Sequence, residues 1–482
     1  MMKKNIFVTG ATGVMGYATL LELARRTDRF HITLLARDSK KNRKKLRQFI
    51  DKEDFTIIWG DLMNPSDVKR GVENADYVLH MGGLVSPMAD HYPDKTMKVN
   101  VGAVRNIVDA IKSRPDSDKV KLVYVGSVAQ MSNRCEPFHW GRAGDPIMAS
   151  EFDFYGISKI KAERIVAESG LKYWVSLRQS GILHPGLFQR GSDPITFHVP
   201  LRGVLEWATV EDSGRLMANV CEDTVSEDFW RNFYNIGSGE HYRLTNYEFE
   251  QRILKAIGSP RPEKIFETDW FATRNFHGCW YLDSDKLEAM VPFRENLDVE
   301  SYFKRMVKSV PLWVRLAPLA PAWLVKRMMR KVAKTRDLGT LDWMSRDDCE
   351  DRIKAFFGSR EQREKIPAWK DFDLTPPTSK AVILDHGYDE SKPESELDIE
   401  DMRNAAEFRG GKCVSEKMTA GDLDTPLEWE CGFGHRFSAT PRTVLKGGHW
   451  CPDCLPAPWR YREEMEKNAF MRQLRPHSIK NV

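Results

Sequence analysis

The chain has 482 residues, 41% of them hydrophobic and 29% charged, and its 73 basic and 69 acidic side chains leave a net charge of +4. That length implies two or three domains, the composition is that of a globular protein, and the near balance of charge argues against a nucleic-acid partner. No apolar run reaches the ~18 residues of a membrane-spanning helix.

Strand and helix patterns alternate through the first 180 residues. A β-rich run at 5–9 leads into a helical pattern at 15–26, 31–36 alternates as a second strand, and 56–59, 77–80 and 121–125 read as further buried strands, with a helix over 95–112. This predicts a parallel sheet covered by helices on both faces. Lys3 and Lys4 precede an apolar stretch, but glycines interrupt it and Glu22, Arg25 and Arg26 follow without a cleavage site. A cytoplasmic protein is therefore expected. From 181 to 305 the pattern loosens into loops; 311–325 is rich in Trp, Leu and Pro, and 326–334 is strongly basic. Thr375-Pro376-Pro377-Thr378 reads as the start of a linker, because paired prolines break helix and strand alike, and the acidic run 394–401 is expected in solvent. The predicted organisation is a first domain over 1–300, a helical apolar and basic extension over 301–375, a linker over 376–409, a metal-binding domain over 410–465 and a tail over 466–482.

Gly10, Gly13 and Gly16 follow the first predicted strand and open the first predicted helix, in the run T-G-A-T-G-V-M-G. Missing Cβ atoms allow a tight turn and close approach to a pyrophosphate, which free N–H groups at the helix start would bind. The end of the second strand selects the cofactor: an acidic residue suits the ribose hydroxyls of NAD, an arginine the 2′-phosphate of NADP. Arg37 ends the strand and Lys40, Lys41 and Arg43 follow, which favours NADP; Asp38 lies one place late, so a small change of register would favour NAD.

Tyr155 and Lys159 are spaced i, i+4 on one helix face. A nearby ammonium favours the phenolate of a tyrosine that otherwise titrates near ~10, making it a usable acid or base. Ser127, just beyond the strand at 121–125, lies at the sheet edge where open α/β folds bind ligands.

Together these residues resemble the extended short-chain dehydrogenase/reductase superfamily, which includes the NAD-dependent epimerases and dehydratases and the 3β-hydroxysteroid dehydrogenases, over roughly residues 3–300. The glycine turn looks like the family's TGxxGxxG, and Gly60-Asp61-Leu62 like its adenine-contacting acidic motif. His80-Met81-Gly82-Gly83 stands at its strand-four loop, Asn100 at its helix asparagine, and Thr209-Val210-Glu211-Asp212 and Asn235-Ile236-Gly237 at two later landmarks. The resemblance implies a doubly wound Rossmann sheet with a smaller substrate region. It implies cofactor contacts from Gly10, Thr12, Gly13, Val14, Met15, Gly16, Arg37, Asp61, Leu62, Met81, Gly82, Gly83, Asn100 and Lys159. It also implies hydride transfer at nicotinamide C4, in which Tyr155 exchanges the proton, Lys159 holds the ribose and lowers the tyrosine pKa, and Ser127 orients the substrate oxygen.

Departures direct the substrate reading. Ser127 lacks the serine/threonine cluster of many sugar-nucleotide epimerases and the acidic pair that dehydratases use. After the sixth strand Arg178-Gln179-Ser180-Gly181 lacks the usual Arg-Pro, and His184-Pro185-Gly186 replaces Tyr-Gly-Pro. The first reading is an NAD(P)-dependent oxidoreductase interconverting a hydroxyl and a keto group on a small molecule. The alternatives are a sugar-nucleotide epimerase or dehydratase with tightly bound NAD, and a non-enzymatic NADP-sensing regulator, against which the intact Tyr155–Lys159 pair argues. A homo-oligomer is expected.

The apolar segment 311–325 carries Arg315 and has three readings: a packed helical extension, a segment at a membrane interface with Lys326, Arg327, Arg330 and Lys331 on anionic lipid, or a cover over a greasy substrate. Cys431, His435, Cys451 and Cys454 form C-x3-H-x15-C-x2-C, a spacing suited to a closed, structural, tetrahedral Zn²⁺. Cys413 is weighed as a further thiol or as a replacement for His435. The stretch 427–454 looks like small treble-clef or ribbon domains, which need their metal to fold, and a docking role onto the first domain or another subunit is expected.

Overall fold

The structure, a computed structural model, describes residues 3–189, 193–311 and 320–474. Of the apolar segment 311–325, residues 312–319 therefore lie outside the described residues, as do 475–482 of the tail.

Seven strands form one sheet: β1 (Lys4–Thr9), β2 (Phe30–Ala36), β3 (Phe55–Trp59), β4 (Tyr77–His80), β5 (Lys121–Ser127), β6 (Tyr173–Gln179) and β7 (Asn232–Ile236), in the order β7-β6-β5-β4-β1-β2-β3. Every neighbouring pair is parallel. Strand order reverses beside β1, and open α/β sheets bind ligands at such a switch point, at the carboxyl ends of the strands.

Side-chain alternation along the strands feeds two cores. Ile6 and Val8 of β1 pack with Leu20 and Leu23 of α1 (Val14–Ala24), whereas Phe7 packs on the other face with Val68 and Val72 of α2 (Pro65–Val72) and Ile107 and Ile111 of α3 (Gly102–Lys112). The helix expected over 95–112 is present, with a π-turn at Met97–Val101 between Pro93–Thr96 and α3. On α4 (Phe154–Ala167), Ala162 and Val166 face the sheet while Ile157 and Ile160 enter a separate core. Leu216 and Met217 of α5 (Val210–Asn219) complete the α1 side.

The extension wraps the first domain. Val325, Met329 and Val332 of α6 (Ala322–Ala333) pack on Phe197, Ile265, Phe266 and Trp270, and Trp323 faces outward, 65% exposed. No helix among the described residues is long and apolar enough to cross a membrane.

The expected linker 376–409 is a correction: it contains α7 (Ile399–Phe408), whose Met402, Ala405 and Ala406 are buried in the core of the C-terminal module. The acidic run masks this helix in the sequence because its carboxylates serve the helix start. Asp398 accepts from the Glu400 N–H at 2.9 Å, and Asp401, expected in solvent, is buried against Lys392 at 2.9 Å. The module continues as an antiparallel sheet of β8 (Lys412–Cys413), β9 (Leu427–Glu430) and β10 (Arg436–Ala439). Its Trp429, Leu445 and Trp450 share a core with Ile157 and Ile160 of α4, so the module is seated on the first domain.

Candidate active site and metal centre

The glycine turn is compact because no side chain fits in it. Gly10 has φ +76°, and a Cβ there would lie 2.7 Å from the Gly82 nitrogen. A Cβ on Gly16 would lie 2.1 Å from the Gly10 oxygen, which also accepts from the Gly13 N–H at 2.8 Å. Helix α1 starts without a capping side chain or an acidic first turn, so its leading N–H groups are available to an anion. Met15 is buried behind the turn, with Thr12 and Val14 half-buried beside it. Sequence reading missed Lys45, whose Nζ donates to the Thr12 carbonyl at 3.0 Å; the only signal was the basic run around it.

The other residues expected at a cofactor gather at the carboxyl ends of β2, β3 and β4. Arg37 is exposed after β2. Asp38, its competitor, is taken by Arg43 through two hydrogen bonds of 2.6 and 2.8 Å, and Arg43 stacks on Trp59 at 4.5 Å. Asp61 is exposed after β3 and accepts from the Met63 N–H at 2.9 Å. Met81, Gly82 and Gly83 follow β4; a Cβ on Gly82 would meet Leu62 at 2.7 Å and one on Gly83 would meet the Asn100 Oδ1 at 2.9 Å. Asn100, in the π-turn, holds that loop by accepting from the Leu84 N–H at 2.7 Å and donating to the Leu84 carbonyl and Ser158 Oγ, each at 2.9 Å. Such turns recur at functional sites because they aim a side chain off the helical register.

Ser127, Tyr155 and Lys159 converge where β5 ends against the first turns of α4. Asp153 caps that helix, accepting from the Gly156 N–H at 2.6 Å, and so fixes the start from which Tyr155 projects. Ser127 is buried, and Lys159 is 6% exposed with its Nζ donating to the Val125 carbonyl at 2.7 Å. The ammonium lies 5.8 Å from the Tyr155 ring centroid and 5.0 Å from that of Tyr124. Burial pushes Lys159 down to about 8, with Glu163 opposing. Burial pushes Tyr155 up to about 12, with the Ser127 hydroxyl opposing and the Asp153 and Asp90 carboxylates reinforcing the rise. This differs from the expectation of an acidified phenol: burial dominates, and the ammonium donates to a backbone carbonyl.

Sequence reading also missed a polar cluster beside the tyrosine. Asp90 Oδ1 accepts from the Tyr155 N–H at 3.0 Å, and burial, with Asp153 reinforcing, pushes its carboxyl up to about 6. His277 Nδ1 lies 2.8 Å from Asp153 Oδ2. These three groups line a cavity of about 60 Å³ whose far wall is Leu338, Arg352 and Phe356 of the extension. They are 63 and 124 residues apart in sequence, counting 90 to 153 and 153 to 277, so no local motif could have joined them.

In the C-terminal module Cys431, His435, Cys451 and Cys454 place their ligand atoms within 4.8 Å of one another. His435 Nδ1 is 3.4, 3.5 and 3.4 Å from the sulfurs of Cys431, Cys451 and Cys454, and Cys431 and Cys454 are 4.0 Å apart. A tetrahedron with Zn–S and Zn–N bonds of ~2.3 and ~2.0 Å has edges of roughly 3.5–3.8 Å, so the donor set fits that ion. Cys413, paired with Trp429 across β8 and β9, lies outside the group.

Residues 6–190 match the profile of the NAD dependent epimerase/dehydratase family. Over 116 residues, 24% of the chain, the sequence is 31% identical to human 3 beta-hydroxysteroid dehydrogenase type 7, covering 31% of that protein. Over 109 residues, 22% of the chain, it is 26% identical to a UDP-N-acetylglucosamine 4,6-dehydratase (inverting) of Campylobacter jejuni, covering 32% of it. The matches thus span about a third of the length of these curated relatives. A crystal structure of dTDP-glucose 4,6-dehydratase from Bacillus anthracis in complex with NAD superposes with a TM-score of 0.51 at 16% identity, covering 63% of this chain and 96% of that one, which shows the shared fold. Residues 6–190 are accordingly similar to the NAD dependent epimerase/dehydratase family, on a parallel sheet of the fold that the solved dehydratase shares.

Proposed function

We propose that the chain is an NAD(P)-dependent oxidoreductase interconverting a hydroxyl and a keto group on a small molecule. The observation that carries this reading is the convergence of Ser127, Tyr155 and buried Lys159 at the carboxyl end of β5, on the same edge of the sheet as the glycine turn after β1. A bound nicotinamide supplies the hydride chemistry. Lys159 holds the ribose, Ser127 orients the substrate oxygen, and Tyr155, protonated up to about 12, delivers a proton to it. NADP is the preferred cofactor in this reading, because Arg37 has no ion-pair partner among the described residues while Asp38 is neutralised by Arg43. A structural Zn²⁺ at Cys431, His435, Cys451 and Cys454 belongs to the same proposal.

A second reading is internal redox with retained NAD, as in epimerases and dehydratases. Asp90, Asp153 and His277 favour it, since they offer beside Tyr155 the acid and base groups absent next to Ser127 in sequence. One experiment separates the readings. Net oxidation or reduction of added cofactor, followed at 340 nm, is expected for the first; cofactor co-purifying with the protein and unconsumed during turnover identifies the second. In either case Tyr155→Phe is expected to lower turnover by about a hundredfold or more, the usual worth of a positioned proton donor; unchanged turnover removes Tyr155 from the mechanism.

A further inference from the structure

The catalytic helix α4 is clamped between the parallel sheet and the metal module, and the clamp closes on one carboxylate. Glu163 lies one helical turn beyond Lys159 and is fully buried. It accepts from Ser176 Oγ at 2.5 Å, Arg178 Nε at 3.0 Å, Arg178 Nη2 at 2.8 Å and Gln130 Nε2 at 2.8 Å, all within the first domain. Its fifth bond comes from the metal module: His449 Nε2 lies 2.8 Å from Glu163 Oε2. The same Arg178 Nη2 donates to the Gly447 carbonyl at 2.7 Å. On the other side, Gln130 Oε1 accepts from the Ser127 N–H at 2.8 Å. One unbroken path therefore runs from His449 through Glu163 and Gln130 to the backbone of Ser127.

The loop that delivers His449 leads directly into the metal knuckle, with Cys451 two residues on. It is pressed on the first domain: Gly448 has φ +72°, a Cβ on it would lie 1.9 Å from the Asp145 carbonyl, and its own carbonyl accepts from the Ile147 N–H at 3.2 Å. Two residues on, the Trp450 carbonyl accepts from Arg164 Nη1 at 2.6 Å. A buried carboxylate tolerates the loss of a donor badly, and a closed knuckle holds its flanking loop only while the metal is bound.

We propose that His449 and Glu163 are positioning residues for Ser127 and Lys159, and that metal occupancy and nucleotide affinity are linked through them. This rests on the nucleotide and metal sites proposed above. Coupling between sites is reciprocal. Stripping the full-length protein with a chelator is therefore expected to weaken NADP or NAD binding by roughly tenfold, inside the usual range for coupled sites. Added Zn²⁺ should restore the affinity, and saturating nucleotide should slow metal release to a chromophoric chelator. His449→Ala is expected to retain metal and still lose nucleotide affinity, with recovery in His449→Gln, whose amide keeps a donor. Equal affinity with and without metal in a protein of unchanged circular dichroism, or wild-type affinity in His449→Ala, overturns the proposal.

If the stripped chain unfolds, the metal-loaded His449→Ala comparison decides. If no nucleotide binds even the loaded protein, the nucleotide reading fails, and hydrogen exchange decides the link by itself. Faster exchange at 126–131 and 154–164 in His449→Ala supports it, and a change confined to 411–470 sinks it.

Discussion

Arg37 and Asp38 are neighbours at the end of β2, and the partner of Asp38 decides which of them is free to meet a ligand. Arg43 occupies both carboxylate oxygens and holds the Asp38 carboxyl below its usual range, leaving the Arg37 guanidinium exposed. Arg37→Ser should therefore lower NADP affinity by about tenfold or more, the scale of one charge-assisted phosphate contact, while NAD affinity changes little; calorimetric titration with both nucleotides checks this. Lys159 makes a pH prediction. Burial holds it at about 8, so the hold on a ribose proposed for it should weaken as pH rises through that value. Nucleotide affinity is expected to fall between about pH 8 and 9.5, and Lys159→Met to flatten the profile. The stability term has the opposite sign. The unfolded lysine titrates near ~10.4, so between about 8 and ~10.4 the unfolded chain binds more protons and this group's contribution to stability rises with pH. A parallel urea-unfolding series separates the two effects.

At the scale of elements, the β1–α1 turn and α4 are specified in different ways. The turn depends on backbone alone: Gly10 needs a positive φ and contacts the Gly82 backbone where a Cβ would stand. Gly10→Ala should cost about 1–2 kcal/mol from the left-handed backbone before any clash is counted. The urea midpoint should fall accordingly and nucleotide binding should be lost; a variant with wild-type midpoint and affinity would show that the turn does not need its glycine. Helix α4 instead depends on surroundings. Ala162 and Val166 meet the sheet, Ile157 and Ile160 meet the C-terminal module, and Ser158, Lys159 and Glu163 between them become buried. A helix apolar on two sides reads in sequence as buried, but nothing local says that its second cover comes from nearly 300 residues downstream.

For the whole molecule, the C-terminal module both carries the Cys431, His435, Cys451 and Cys454 cluster and forms a wall of the first domain. Cys451→Ser is expected to lose about one equivalent of zinc, as for a single closed site, and to lower the thermal midpoint of the entire chain, because Trp450 and Leu445 share their core with α4. Metal analysis and calorimetry test this, and undiminished zinc would remove Cys451 from the ligand set. What was readable in advance followed from local repetition. Strand alternation, the glycine spacing, the i, i+4 pair and the paired Cys/His knuckles are short-range patterns imposed by backbone geometry and coordination chemistry; they marked the sheet and named the residues that the structure brings together in the candidate site and in the Cys/His cluster. The helix at Ile399–Phe408 was hidden because its capping carboxylates read as a solvated acidic run. The Asp90, Asp153 and His277 cluster, the capture of Asp38 by Arg43, the high pKa of Tyr155 and the His449–Glu163 bond depend on which distant segments share a volume and exclude water. Only the tertiary structure decided them, because desolvation and long-range pairing leave no periodic trace in the chain.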